Sequence, residues 1–510
     1  MRRLLANVVV FVFLLSLPLA AQDLASFEKR ITVKKLPNGL TLMVMERHEA
    51  PVFSAYTFVD AGSAQDPMGS TGLAHMFEHM AFKGTDTIGT TNWPAEKTAL
   101  EKVETAYDAY LKEREKRVGR DEKRVQQLEQ AWQAAIKQAD QYVVRNAYTE
   151  IIEENGGEGL NASTDYDETV YFYSFPSNRL ELYAYLESER FVHPVMREFY
   201  KERDVVFEER RMRTDSNPIG RLIEQFLAQA FIAHPYHRPT VGWASDLRRF
   251  SATDAERFFH LYYVPSSMVV SVVGDVNTAD VVALFTRYFS RIPAAPQPVE
   301  DPTVEPPQQS ERRVMLREVS QPIYVEGYHR PDFTDPDDPI FDAISDITSN
   351  GRVSRMYRSL VRDKKIAADA AGFTGMPGSK YPHLFAFYAV PAPGHTTDEM
   401  QKAIREEIEK LRTQDVTDEE LAMFKTRARA DLLRGLANNP GLASQLAVFQ
   451  ARFGDWRELF RQLDRYEKVT KADIKRVAAR TFVEQNRTVG VIESTRMAGA
   501  GASQKGEPQQ

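Results

Sequence analysis

Residues 251–274, SATDAERFFHLYYVPSSMVVSVVG, align without a gap with residues 470–493, TKADIKRVAARTFVEQNRTVGVIE. Asp254 matches Asp473, Arg257 matches Arg476, and Val264, Val270 and Val272 match Val483, Val489 and Val491. Each copy reads as a helix, a short turn and a buried strand. Five identities are few, but both copies close a half of the chain, and that shared position reads as duplication. The pattern predicts two related α+β domains, each an antiparallel or mixed sheet packed with helices.

Working outward, residues 291–310 (RIPAAPQPVEDPTVEPPQQS) hold six prolines and read as the linker between the halves, 22–290 and 311–496. ITVKKLPNGLTLMVME reads as two strands around a Pro-Asn-Gly turn, and PVFSAYTFVDAG as a third. Strand patterning returns in GLNASTDYDETVYFYSF, and a long helical segment is expected over roughly 179–213. Between them, Leu100, Val103, Tyr107 and Leu111 recur at helical spacing. So do Val125, Leu128, Trp132 and Ile136, with Gly119 between the two series. Residues 95–145 are therefore expected to form a charged amphipathic helical hairpin that packs on the body.

At the start of the chain, Arg2 and Arg3 precede an apolar run from Val8 to Leu15, and small residues follow Pro18 up to Ala21. This reads as an export signal over residues 1–21, cleaved near Ala21. The run is too short to span a bilayer comfortably, so no stable membrane insertion is expected after cleavage. A periplasmic or secreted location follows. Residues 497–510 read as a disordered tail. The chain has 510 residues, 65 basic and 72 acidic, for a formal charge of −7, so nothing points to nucleic acid as a partner. It has no cysteine, which excludes disulfides, thiolate metal sites and cysteine nucleophiles.

The chemistry concentrates in HMFEHMAFKGT, starting at His75. Residues i and i+4 of a helix share a face, so His75 and His79 can aim both imidazoles at one metal ion. Glu78 follows His75 by three residues and reaches the same side. This H-x-x-E-H order is the inverted zincin pattern. A catalytic zinc needs a third protein ligand and an open position. KERDVVFEERRMR offers Glu202, Glu208 and Glu209. Glu202 and Glu209 are two helical turns apart and share a face, whereas Glu208 points about a quarter-turn away. The second half has no counterpart of the histidine motif, so one site per chain is expected.

LPNGLTLMVME, GSTGLAHMFEHMAFKGT, ENGGEGLNASTDYDETVYFY, ERDVVFEE and HPYHRPTVGWASDL together resemble the insulinase–pitrilysin family of zinc metallopeptidases, which includes the mitochondrial processing peptidases. The resemblance implies a clam-like architecture and hydrolysis of unfolded peptides. It implies one zinc held by His75, His79 and Glu209, with Glu78 as general base and Glu202 in support. It places Asn161 and Ala162 at contact positions of a substrate-binding edge strand, where a peptide would add as a further strand. The 129 residues between His79 and Glu209 exceed the family's usual interval by about the length of the hairpin, which is thus read as an insertion. In the second half, Arg362 falls at a family arginine position that contacts substrate. The tyrosine expected seven residues later is replaced by Asp369, and a carboxylate cannot serve as a neutral donor to an oxyanion. The resemblance further implies pairing into a homodimer, or into a heterodimer with a related chain that supplies the missing donor.

Overall fold

The structure is a computed structural model that describes residues 27–299 and 303–495. The expected export signal and the tail lie outside these residues.

Each half is built on one sheet. The first contains β1 (Ile31–Lys35), β2 (Thr41–Glu46), β3 (Val52–Val59), β4 (Glu158–Thr164), β5 (Thr169–Pro176) and β6 (Met268–Gly274), in the spatial order β1-β2-β6-β3-β5-β4. The second contains β7 (Arg312–Glu318), β8 (Ile323–Arg330), β9 (Ala367–Met376), β10 (His383–Pro391) and β11 (Arg487–Ser494), in the order β7-β11-β8-β10-β9. The closing strand of each half, β6 or β11, pairs parallel with one neighbour and antiparallel with the other. The two orders superimpose strand for strand, and only β1 lacks a counterpart. The halves are therefore related mixed-sheet α+β domains.

The aligned stretches occupy equivalent places, and their identities have physical causes. Ser251 and Asp254 form a reciprocal cap at the start of helix 252–262, as Thr470 and Asp473 do at the start of helix 471–481. Arg257 and Arg476 each pair with that aspartate one turn back. Val270, Val272, Val489 and Val491 are fully buried in the two closing strands.

Seven helices of the first half position the site: α1 (Leu73–Met80), α2 (Trp93–Arg114), α3 (Glu122–Ala139), α4 (Ala147–Glu154), α5 (Leu180–Val192), α6 (Phe199–Arg210) and α7 (Pro218–Ala230). The long helix expected over 179–213 is instead two helices with a break at residues 193–198. Pro194 carries no N–H to donate to the turn before it, and Glu198 adopts φ 57°, so the chain re-enters helix in a new direction. A single π-type turn, Arg211–Asp215, ends α6.

α2 and α3 pack against each other and onto the body. Val103, Tyr107, Tyr110 and Trp132 are buried in the main core, and the Arg203 guanidinium of α6 lies over the Tyr107, Trp132 and Tyr200 rings. The Tyr107 hydroxyl donates to the Arg249 carbonyl at 2.9 Å.

The halves also exchange helices. α7 of the first half covers one face of the second sheet, where Leu222, Phe226 and Leu227 meet Ile323, Val325 and Leu384. Helix 439–453 of the second half covers the outer face of the first sheet, where Leu442, Leu446 and Ala447 meet Met43, Phe58 and Val273. Each sheet is buried on both faces, and the two halves form one clasped body.

Candidate metal centre

α1 is held at its start by Asp66. The Asp66 carboxylate accepts from the backbone N–H of Gly72 at 2.6 Å and of Ala74 at 2.9 Å, which satisfies free donors of the first turn. Burial pushes this carboxyl up to about 7 against those hydrogen bonds. Gly72 sits at φ 97°, and an added Cβ would meet the Val241 carbonyl oxygen at 2.7 Å, so the entry to α1 requires glycine.

The imidazoles of His75 and His79 project from one face with ring centroids 4.9 Å apart at 84°. Glu209, near the end of α6, faces them, with Oε1 at 3.6 Å from His75 Nε2 and Oε2 at 3.6 Å from His79 Nε2. The candidate ligand atoms of the three residues all lie within 4.8 Å of one another. A separation of 3.6 Å is too long for a good hydrogen bond. It is close to the edge of a tetrahedron with arms of about 2.05 Å, roughly 3.3 Å. Buried His75 also has no hydrogen-bond partner on Nδ1, and its Nε2 faces Glu209. The donor set suits a divalent zinc-like cation.

Outside the cluster, Glu202 Oε2 lies 3.4 Å from His79 Nδ1, and its other oxygen pairs with Lys83. A carboxylate there favours the tautomer that leaves Nε2 free to ligate. Burial works against charge on His79, but Glu202 and Glu209 outweigh it and push the imidazole up to about 9. Burial and the neighbouring His79 push His75 down to about 4. The facing His79 imidazole leads the effects that lower Glu209. Burial raises Glu78, partly offset by hydrogen bonds from Thr164 of β4.

Glu208 lines the same cleft but stands outside the candidate ligand cluster. Its side chain is 56 % exposed and pairs with Arg211 at 2.7 Å, whereas that of Glu209 is 16 % exposed. Glu209→Ala is therefore expected to weaken zinc binding by more than the roughly 100-fold that loss of an outer partner costs, and Glu208→Ala to leave it within twofold. Zinc titration against a competing chelator reads both. The reverse order would place the ligand one residue earlier on α6.

The cluster opens into a cleft of about 880 Å³, walled by β4 on one side and α6 with its π-type turn on the other. β4 is an edge strand, so its outer side is open to a further strand. Asn161, Ala162, Ser163 and Thr164 line the cleft, and Val205 and Met212 expose apolar surface on the opposite wall. Arg213 also lines it and reaches Glu209 Oε1 at 2.8 Å.

Every residue lining this cleft belongs to the first half. Arg362 is not brought to it. It is exposed near the end of a π-type helix, Tyr357–Asp363, of the second half and pairs with its neighbour Asp363 at 2.7 Å. The Asp369 carboxylate, on β9, accepts the Tyr388 hydroxyl at 2.7 Å. The sequence reading overlooked Asp66, Lys83, Thr164 and Arg213. Lys83 and Arg213 each follow a candidate ligand by four residues, a spacing that could have flagged them. Asp66 and Thr164 carry no local signal of their contacts.

The sequence model described as "Insulinase (Peptidase family M16)" matches residues 42–118 and 133–243, and the one described as "Peptidase M16 inactive domain" matches residues 249–427. The chain is 27 % identical to zinc protease PqqE of Helicobacter pylori over 499 residues, covering 96 % of this chain and 97 % of that one. The crystal structure of a protease from Helicobacter pylori superimposes with a TM-score of 0.76 at 26 % identity, covering 91 % of this chain and 99 % of that chain. The periplasmic protease PqqL from Escherichia coli superimposes with a TM-score of 0.68 at 17 % identity, covering 92 % of this chain but 48 % of that chain. The last likeness is one of fold.

Proposed function

The chain belongs to the insulinase (M16) peptidase family, and from that premise we propose that it is an exported zinc endopeptidase that hydrolyses unfolded peptides in the periplasm or outside the cell. The observation that carries this reading is the convergence of His75, His79 and Glu209, whose candidate ligand atoms lie within 4.8 Å of one another, beside a half-buried glutamate, Glu78, that is not part of this set. His75, His79 and Glu209 would hold the metal. A zinc ion bound there supplies Lewis-acid activation of water and stabilisation of negative charge at a peptide carbonyl.

The remaining chemistry belongs to the chain. Glu78 accepts a proton from the attacking water on its carboxylate and returns it to the nitrogen of the departing amine. Its burial favours the protonated form, which suits a group that must hold a proton between two steps. Glu202, held by Lys83, orients His79. Asn161 and Ala162 present β4 to an extended peptide, which binds through its main chain and so with little sequence selectivity.

The cleft has walls from one half only, and this chain corresponds to about half the length of the periplasmic Escherichia coli protease. Both facts favour a dimer in which a second copy or a related chain closes the chamber. Arg362 is proposed to act across that interface. Among the described residues, no helix is long and apolar enough to cross a membrane.

Stripping the purified chain of metal with a chelator is expected to abolish cleavage of a quenched fluorescent unstructured peptide, and one equivalent of zinc to restore it. Cleavage that persists without metal would overturn the assignment. A zinc-loaded chain that binds the peptide and never cuts it would identify a binding subunit.

A further inference from the structure

The half of the chain that carries no ligand grips the turn that ends the substrate-facing strand. As an edge strand, β4 is held sideways by β5 alone, and the β4–β5 register shifts between Glu158 and Asn161. A strand paired this loosely takes its position from its better-anchored end, the turn at residues 165–168. Inside the turn, the Asp165 carboxylate accepts from the N–H of Asp167 at 2.7 Å and of Glu168 at 2.9 Å.

Asp167, only 2 % exposed, reaches across to the second half. Its Oδ2 accepts from the backbone N–H of Ser379 at 2.7 Å and of Lys380 at 3.0 Å, while its Oδ1 accepts the Tyr236 hydroxyl at 2.5 Å. Glu168 accepts from Arg452 Nη2 at 2.9 Å. The fit leaves no slack, because a Cβ on Gly378 would meet Asp167 Oδ2 at 2.6 Å and the Tyr236 hydroxyl at 2.7 Å. On its other side the turn adjoins the chemistry, since Thr164, the residue before it, lines the same cleft as Glu78 and the metal cluster.

We propose that Asp167 and Glu168 are positioning residues. Through them the second half sets where β4 stands relative to Glu78 and the metal cluster, and hence where a docked peptide presents its scissile bond. This rests on the peptidase reading above. Charge-assisted hydrogen bonds in a dry contact hold their geometry tightly. A displacement of about 1 Å at a site remote from the chemistry can cost roughly 100-fold in rate.

The test uses the full-length zinc-loaded chain carrying Gly378→Ala, Arg452→Ala or Arg452→Lys. Zinc per chain, kcat and KM are measured with an extended peptide long enough to pair along β4 and with a short one that cannot. The same substitutions are placed in a Glu78→Gln background, where the Kd of the labelled long peptide is read without cleavage. Gly378→Ala and Arg452→Ala should keep one zinc and raise KM and Kd for the long peptide by about tenfold or more. The short peptide should change less than twofold, and Arg452→Lys should recover most of the loss.

Equal effects on both peptides, or none on either, would overturn the proposal, as would loss of zinc. Should Gly378→Ala fail to fold, the Arg452 pair carries the test. A parent chain that binds the long peptide but never cuts it defeats the peptidase reading, and the grip on β4 is then judged by Kd alone.

Discussion

Glu78→Gln is expected to bind zinc as the parent chain does and to lose peptide hydrolysis by a factor of about 10²–10⁴ in kcat. The two outcomes separate because the geometry separates the roles. The candidate ligand cluster consists of His75, His79 and Glu209, and Glu78 is outside it. Glu78 instead lines the cleft together with residues 161–164 of the edge strand. The amide of glutamine has the same shape and can keep an oxygen toward Thr164, so neither the packing of α1 nor the donor set changes. What disappears is a group that can take a proton from water and release it to an amine, because an amide does not titrate in this range. Metal content and single-turnover cleavage, measured on the same preparation, decide the matter. Loss of zinc together with activity would move Glu78 into the ligand set.

Arg197→Met is expected to destabilise the fold by about 3–5 kcal/mol, the cost of stranding one partner of a buried ion pair. Arg197 and Glu96 are 1 % and 0 % exposed at their side chains. All five guanidinium donors are used. Nε and Nη2 bind the two Glu96 oxygens at 2.5 and 3.0 Å, Nη1 binds the Lys83 and Ile88 carbonyls at 2.6 and 3.1 Å, and Nη2 binds the Thr85 carbonyl at 3.0 Å. Methionine fills the stem's volume but strips the donors from a buried carboxylate and from the Lys83 and Thr85 carbonyls, while the Ile88 carbonyl keeps only the Thr85 N–H at 2.9 Å.

The segment so held runs from the end of α1 into α2 and includes Lys83, which steadies Glu202. Zinc affinity should therefore fall along with stability. The double variant Glu96→Leu/Arg197→Met should lose less than the single one, since it removes the stranded charge. Chemical denaturation of the three proteins gives the comparison. A single variant within 1 kcal/mol of the parent would show that water reaches Glu96.

Much of this molecule was legible because its signals are local. The i, i+4 histidines needed only helix geometry to share a face, and the helix formed where the apolar spacing placed it. The strands on either side of Pro37, Asn38 and Gly39 followed from a turn whose chemistry lies within a few residues. The duplicated ends of the halves were readable because each repeats the same cap, ion pair and buried valines at the same offsets. Glu209 could be preferred to Glu208 only through family resemblance, because angular position on a helix says nothing about which face meets α1.

The sequence by itself thus determined the duplication, the closing helix and strand of each half, the strands and the helical hairpin read in the first half, and the face on which His75, Glu78 and His79 stand, all set by spacings within one or two turns. Tertiary structure alone decided the rest. The break before α6, marked in sequence by Pro194, turns Glu209 toward the histidines only because Arg197 anchors the chain there to Glu96, 101 positions away. The exchange of helices between the halves, and the grip of the second half on β4 through Asp167, 212 residues from Ser379, left no trace in any local pattern. The reason is physical. Periodicity reports which side of an element is buried, but burial is non-directional and does not name the partner. The partner is chosen by hydrogen bonds and ion pairs between distant residues, which become favourable only once the chain has brought them together and excluded water.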